Sequence, residues 1–123
     1  EALARIADHA DIVILTNAGP EHQPARVAQL GRYGMPYRVI GNRGSKAEPV
    51  KQLIEELRPS ATVFIDDLPH HIGSVAKLTP DVWRLHMVGE PVIADKIPPA
   101  PEAHARIDDW TQAEAWVMER LTA

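Results

Sequence analysis

The chain has 123 residues, 45% of them hydrophobic and 24% charged, which is the composition of one globular domain over 1–123 with a real core. Its formal net charge is −4 and no Lys/Arg stripe runs along any segment, which argues against nucleic acid and anionic membranes as partners. The chain has no cysteine, so disulfides, thiolate nucleophiles and Cys-ligated metals are excluded. Its apolar runs are too short to cross a bilayer, and no basic-then-apolar leader opens the sequence, so a cytoplasmic location is the default reading.

In chain order, helical and strand-like patterns alternate. Leu3, Ile6 and Ala7 form a short helical stripe, and Ile12-Val13-Ile14-Leu15 reads as a strand buried on both faces. Thr16-Asn17-Ala18-Gly19-Pro20 then makes a turn that opens a helix expected over 21–32. A second strand is expected over 37–40, followed by the polar loop 41–45. The clearest helix places Val50, Leu53, Ile54 and Leu57 on one face. Ser45 and Glu48 stand at capping-box spacing before it, although Pro49 shifts the expected start toward Glu48. A third strand over 62–65 leads to a helix over 69–78 with Ile72, Val75 and Ala76 inward. The alternation of Trp83, Leu85 and Met87 with Arg84 and His86 predicts a fourth strand over 82–88, nearer the edge of the sheet. A Pro-rich surface excursion over 90–102 and a short strand near Ile107 follow. Asp108-Asp109 then cap a last helix carrying Trp110, Ala113, Val117 and Leu121 on one face.

Strands separated by helices predict an α/β fold with a mainly parallel sheet and helices on both faces. In such folds ligands bind beyond the carboxyl ends of the strands. Thr16, Asn17 and Ala18 follow the first strand, Lys46 precedes the helix after the second, and Asp66-Asp67 closes the third, so all are expected on one rim. The threonine hydroxyl and the turn amides suit phosphoryl oxygens, and the lysine suits the charge that develops in phosphoryl transfer. Adjacent aspartates repel one another unless a cation joins them, and a pair of carboxylates is a usual protein share of a Mg²⁺ shell. The ordinary alternative is turn chemistry at Thr16-Asn17, helix capping at the aspartates and a solvated lysine. His70 and His71 raise a zinc reading beside the aspartates, against which His71 reads as a polar residue at a helix start.

The order strand–Thr, Lys, strand–Asp-Asp, carried by "IVILTN", "GSKAEP" and "VFIDDLPHH", resembles the haloacid dehalogenase-like (HAD) superfamily over about residues 1–90. The resemblance implies a three-layer Rossmann-like fold and a Mg²⁺-dependent phosphohydrolase acting on a small phosphorylated substrate, with nucleotidase-like members among the relatives it suggests. It implies Asp67 as metal ligand with Asp66 assisting, Thr16 and Asn17 as phosphoryl-binding residues, and Lys46 as the bridge between phosphate and nucleophile. The family's D-x-D nucleophile motif does not occur in 1–123, and the strand that carries it is the family's central one. The fold is therefore expected to lack its first, central strand, leaving open edges that a missing N-terminal segment or a homodimer would complete. The alternative is a non-catalytic Rossmann-like binding or assembly module that keeps the phosphate or metal pocket.

Overall fold

The computed structural model describes residues 2–17, 21, 24–25, 28 and 37–122. The helix expected over 21–32 falls mostly outside them, as does Ala18. The described elements run α1 (Ala2–Ala7), β1 (Val13–Thr16), β2 (Arg38–Gly41), α2 (Ala47–Leu57) and β3 (Val63–Asp66). They continue with α3 (Pro69–Leu78), β4 (Trp83–His86), α4 (Pro91–Ala94), β5 (Ala105–Arg106) and α5 (Trp110–Leu121).

Every strand pairing is parallel, as expected for strands joined through helices. β1 pairs with β2 in a two-stranded sheet, and β3, β4 and β5 form a second sheet in that order. The molecule is thus a mixed α/β protein built on short parallel sheets. No pairing joins the two sheets among the described residues.

Packing follows from the two-residue period of the strands. On β3, Phe64 faces a cluster formed with Val50 of α2 and Ile72 and Val75 of α3, against which Leu15 of β1 also packs. Val63 and Ile65 face the opposite way, toward Ile6 of α1 and Ala113 and Val117 of α5. Helices therefore cover both sides of β3, α2 and α3 on one and α1 and α5 on the other. Burial of two such faces is the main drive for folding, because each large aliphatic side chain withdrawn from water contributes about 1.5–3 kcal/mol.

The helix boundaries show which local signals win. α2 begins at Ala47 with Lys46 at its N-cap and no side-chain cap. The expected capping box gives way to a shorter loop in which the Ser45 hydroxyl accepts from the Ala47 N–H at 3.1 Å. α2 ends at Arg58, which adopts the left-handed conformation (φ 46°, ψ 55°) and donates its N–H to the Ile54 carbonyl. Pro59 then blocks any continuation. At α5 only one of the two aspartates caps the helix: Asp109 accepts from the Gln112 N–H at 2.9 Å. Asp108 instead binds Arg106 and the Val88 N–H.

One expectation is corrected. β4 is not nearer the edge; it lies between β3 and β5, and His86 is fully buried there. The period-two pattern mistook His86 for a solvent-facing residue because both its ring nitrogens are satisfied inside. Nδ1 accepts from the Ala100 N–H and Nε2 donates to the Asp67 carbonyl, each at 2.9 Å. The Pro-rich stretch is also more than a surface excursion, since it carries α4 and seats Ala100 in the core.

Candidate functional site

Parallel pairing sends the carboxyl ends of the strands to a shared rim, and side-chain contacts link both sheets there. Lys46, 14% exposed in its side chain, donates from Nζ to Asp66 Oδ2 at 2.7 Å. Asp66 is more deeply withdrawn, with 3% of its side chain exposed, and its Oδ1 accepts from the Leu68 N–H at 2.9 Å. A carboxylate this buried is costly unless paired, and here both oxygens are satisfied, one by a charge and one by the turn into α3. The cation that accounts for an aspartate at the end of a buried strand is thus, in the first instance, an ammonium group.

The β1 side contributes Asn17. Its Nδ2 lies 3.3 Å from the Gly44 carbonyl and 3.2 Å from His71 Nε2. With the amide donating, Nε2 accepts and the ring proton belongs on Nδ1, which is buried and has no hydrogen-bond partner among the described residues. Burial pushes the His71 imidazole below its usual range; Asp66 opposes that effect, while Lys46 and His70 add to it. The backbone joins the same corner, for the Asn42 N–H donates to the Thr16 carbonyl at 2.8 Å.

The expected site residues are accordingly brought together in part. Lys46 and Asp66 touch, and Thr16 and Asn17 end β1 at the same rim. Asp67 follows Asp66 with an exposed side chain, and its backbone is held from below by His86. Ala18 lies outside the described residues.

Among the described residues no group of three or more His, Cys, Asp or Glu side chains is placed to hold a metal. The donor chemistry still fits Mg²⁺, which commonly takes one or two carboxylates and completes its shell with water and phosphate oxygens. Asp67 is the carboxylate open to a cation. Asp66 would have to release Lys46 or share it.

His71, the Gly44 carbonyl and His86 belong to this corner; the sequence raises only a zinc reading for His71 and assigns neither of the other two to it. His71 had a usable signal, since it stands four residues before Val75 and so on the inward face of α3. The Gly44 carbonyl had none, because a backbone acceptor in a loop has no side-chain signature.

Below the rim, a cavity of about 600 Å³ opens between the two sheets, with Lys46 and Asp66 at one end. It is lined by Ile12 and residues 13–15 of β1, by residues 63–66 of β3, by the apolar face of α2, and by residues of α1 and α5.

Comparison with family models, curated proteins and solved structures found no match to this chain. Among the described residues no helix is long and apolar enough to cross a membrane.

Proposed function

We propose that this chain is the larger part of a HAD-like, Mg²⁺-dependent phosphohydrolase core, a cytoplasmic enzyme for a small phosphorylated metabolite. In this reading the fold is three-layered, and its nucleophile-bearing strand is supplied from outside residues 1–123. The observation that carries the reading is the Lys46–Asp66 pair, 2.7 Å apart at the rim where Thr16 and Asn17 also end β1. A lysine held against an aspartate by burial is positioned without further loss of rotamer freedom, so its charge is ready for a phosphoryl oxygen.

Within that site each residue has a distinct task. Lys46 Nζ keeps donors beyond the one given to Asp66 and directs them at the substrate phosphoryl group. The Thr16 hydroxyl and the Asn17 backbone amide donate to phosphoryl oxygens, and the contacts of Asn17 with Gly44 and His71 fix the orientation of that turn. Asp67, with Asp66 beside it, would hold Mg²⁺, which when bound neutralises phosphoryl charge. His86 holds the Asp67 backbone in place from within the core.

A second reading rests on a specific observation. Both Asp66 oxygens already have partners, so Asp66 is satisfied without a metal ion, which suits a non-catalytic binding or assembly module. Hydrolysis of p-nitrophenyl phosphate by the full-length polypeptide separates the two readings. The enzyme reading expects turnover that requires Mg²⁺, disappears with chelator and is lost in Asp67→Asn. An intact, folded protein that hydrolyses no phosphoester in Mg²⁺ defeats it.

A further inference from the structure

At the amino-terminal ends of β4 and β5, away from the rim, a side chain takes over from the backbone. β5 is two residues long, with Ala105 opposite Leu85 and Arg106 opposite His86. Trp83 and Met87 donate their N–H groups to the Thr62 and Asp66 carbonyls on the β3 side of β4. The Arg84 N–H therefore points the other way, toward β5. At that level β5 has not begun, and the Arg84 N–H is met at 2.9 Å by Nδ1 of His104. The His104 N–H donates in turn to the Arg84 carbonyl, also at 2.9 Å. The imidazole stands where a strand carbonyl would stand in a longer β5.

This bond admits one charge state. Nδ1 accepts only while the ring is neutral with its proton on Nε2; a second proton makes Nδ1 a donor aimed at another donor. The surroundings oppose that proton too. Arg84 faces the ring from β4, its guanidinium fixed by the carbonyls of Glu102 at 2.8 Å, Val82 at 2.9 Å and Pro80 at 3.1 Å. Arg120 of α5, paired with Glu119 at 3.4 Å, lies over Trp83 and Trp116. Trp83 in turn meets the imidazole edge-on, with ring centres 4.9 Å apart. Glu102 directs its carboxylate against Gly73 of α3, and among the described residues no carboxylate bonds to the ring. Partial burial, then Arg84 and Arg120, hold the His104 proton affinity below its usual range.

Access to water separates His104 from the other hydrogen-bonded imidazoles. His71 and His86 are buried, so charging either requires the core to open. His104 is exposed, and its ring can take a proton from water and leave by rotation about its own side-chain bonds. That rotation is local. The β3–β4 pairing lies on the other side of β4, and Arg106 holds the far end of β5 through Asp108, Ala94 and Ile97. We propose that His104 is a proton-operated clip at the entrance to β5: neutral, it closes the strand against β4, and protonated, it swings into water and uncovers the Arg84 amide and part of Trp83. The clip works at the opposite end of the strands from Lys46 and Asp66, so it goes beyond the proposed function and does not depend on it.

Solution NMR of the full-length polypeptide tests the clip between about pH 7.5 and about pH 5, which spans the ordinary histidine value. The His104 ring and the Arg84 amide are followed together, with the Leu85 amide, which faces β3, as control. Each exchange rate is divided by the rate of an unstructured amide at the same pH, because exchange itself varies with pH. As His104 takes up its proton, protection of the Arg84 amide should fall about 10-fold or more with the same midpoint, while that of Leu85 holds. His104→Asn keeps an acceptor oxygen near the place of Nδ1 and does not titrate, so its Arg84 protection should be equal at both ends of the range. The clip is refuted if Arg84 stays protected while His104 titrates, or if His104 stays neutral throughout. It is refuted equally if Leu85 loses protection together with Arg84, which is general unfolding, or if His104→Asn loses Arg84 protection as the unaltered protein does. Should His104→Asn fail to fold, the agreement or disagreement of the two midpoints in the unaltered protein decides.

Discussion

Lys46 Nζ and Asp66 Oδ2 meet at 2.7 Å across 20 residues of sequence, and both side chains are mostly withdrawn from water. The pair ties the start of α2 to the end of β3. Replacing Lys46 with Met leaves a buried carboxylate with only the Leu68 amide for company, and the expected loss of stability is about 3–5 kcal/mol. Lys46→Met combined with Asp66→Leu recovers most of that loss, because neither charge is then stranded. Urea denaturation of the two variants checks this; equal stability of the single and double variants would show that water, not the lysine, compensates Asp66.

His86 makes the second buried polar link beneath the site. His86→Ala leaves the Ala100 N–H without its acceptor and the Asp67 carbonyl without its donor, and it also opens a cavity. The expected cost is on the order of 3 kcal/mol. Faster exchange of the Ala100 amide should accompany it, and an unchanged Ala100 amide would count against the assigned tautomer.

Burial lowers the His71 proton affinity, and this gives stability a pH dependence of known sign. An unfolded histidine binds its proton near pH 6.5, about the ordinary value. Above that pH both states are neutral at this residue and its contribution is complete. As the pH falls through 6.5, the unfolded chain takes up a proton that the folded chain resists, so stability declines until the lower folded value is reached. His104, lowered by burial and then by Arg84 and Arg120, acts in the same direction. His71→Asn should therefore reduce, without abolishing, the difference in urea midpoint between about pH 7.5 and about pH 5.5. An identical difference in the variant would exclude His71 as a contributor.

Arg58 ends α2 in a left-handed conformation that L residues adopt at a cost. Glycine carries no such penalty, and Arg58→Gly should raise stability by about 1 kcal/mol. Thermal unfolding at one pH is sufficient to read the shift. A loss of stability would mean that the arginine side chain outweighs its backbone.

The parallel α/β arrangement was legible because its signals are local: continuous apolar runs at β1 and β3, and the i, i+3, i+4, i+7 stripe of α2. The rim was legible through topology, since parallel crossovers return every strand exit to one side, and Lys46 and Asp66 do meet there. The interior polar groups were not. His86 occupies a position that reads as solvent-facing, and only the approach of Ala100 from a distant loop reveals that its ring is satisfied within the core. The inner place of β4 was hidden for a related reason. β5 spans only Ala105–Arg106, too short for any periodicity to register.

Asn17 follows β1 and His71 lies in the first turn of α3, so their contact fastens the β1–β2 pair to the β3–β4–β5 sheet at the rim. With no strand pairing between the two sheets among the described residues, the alignment of the rim depends on side chains there, the Asn17–His71 contact and the Lys46–Asp66 pair. Loss of either would let the two sheets part at the end where the polar residues gather.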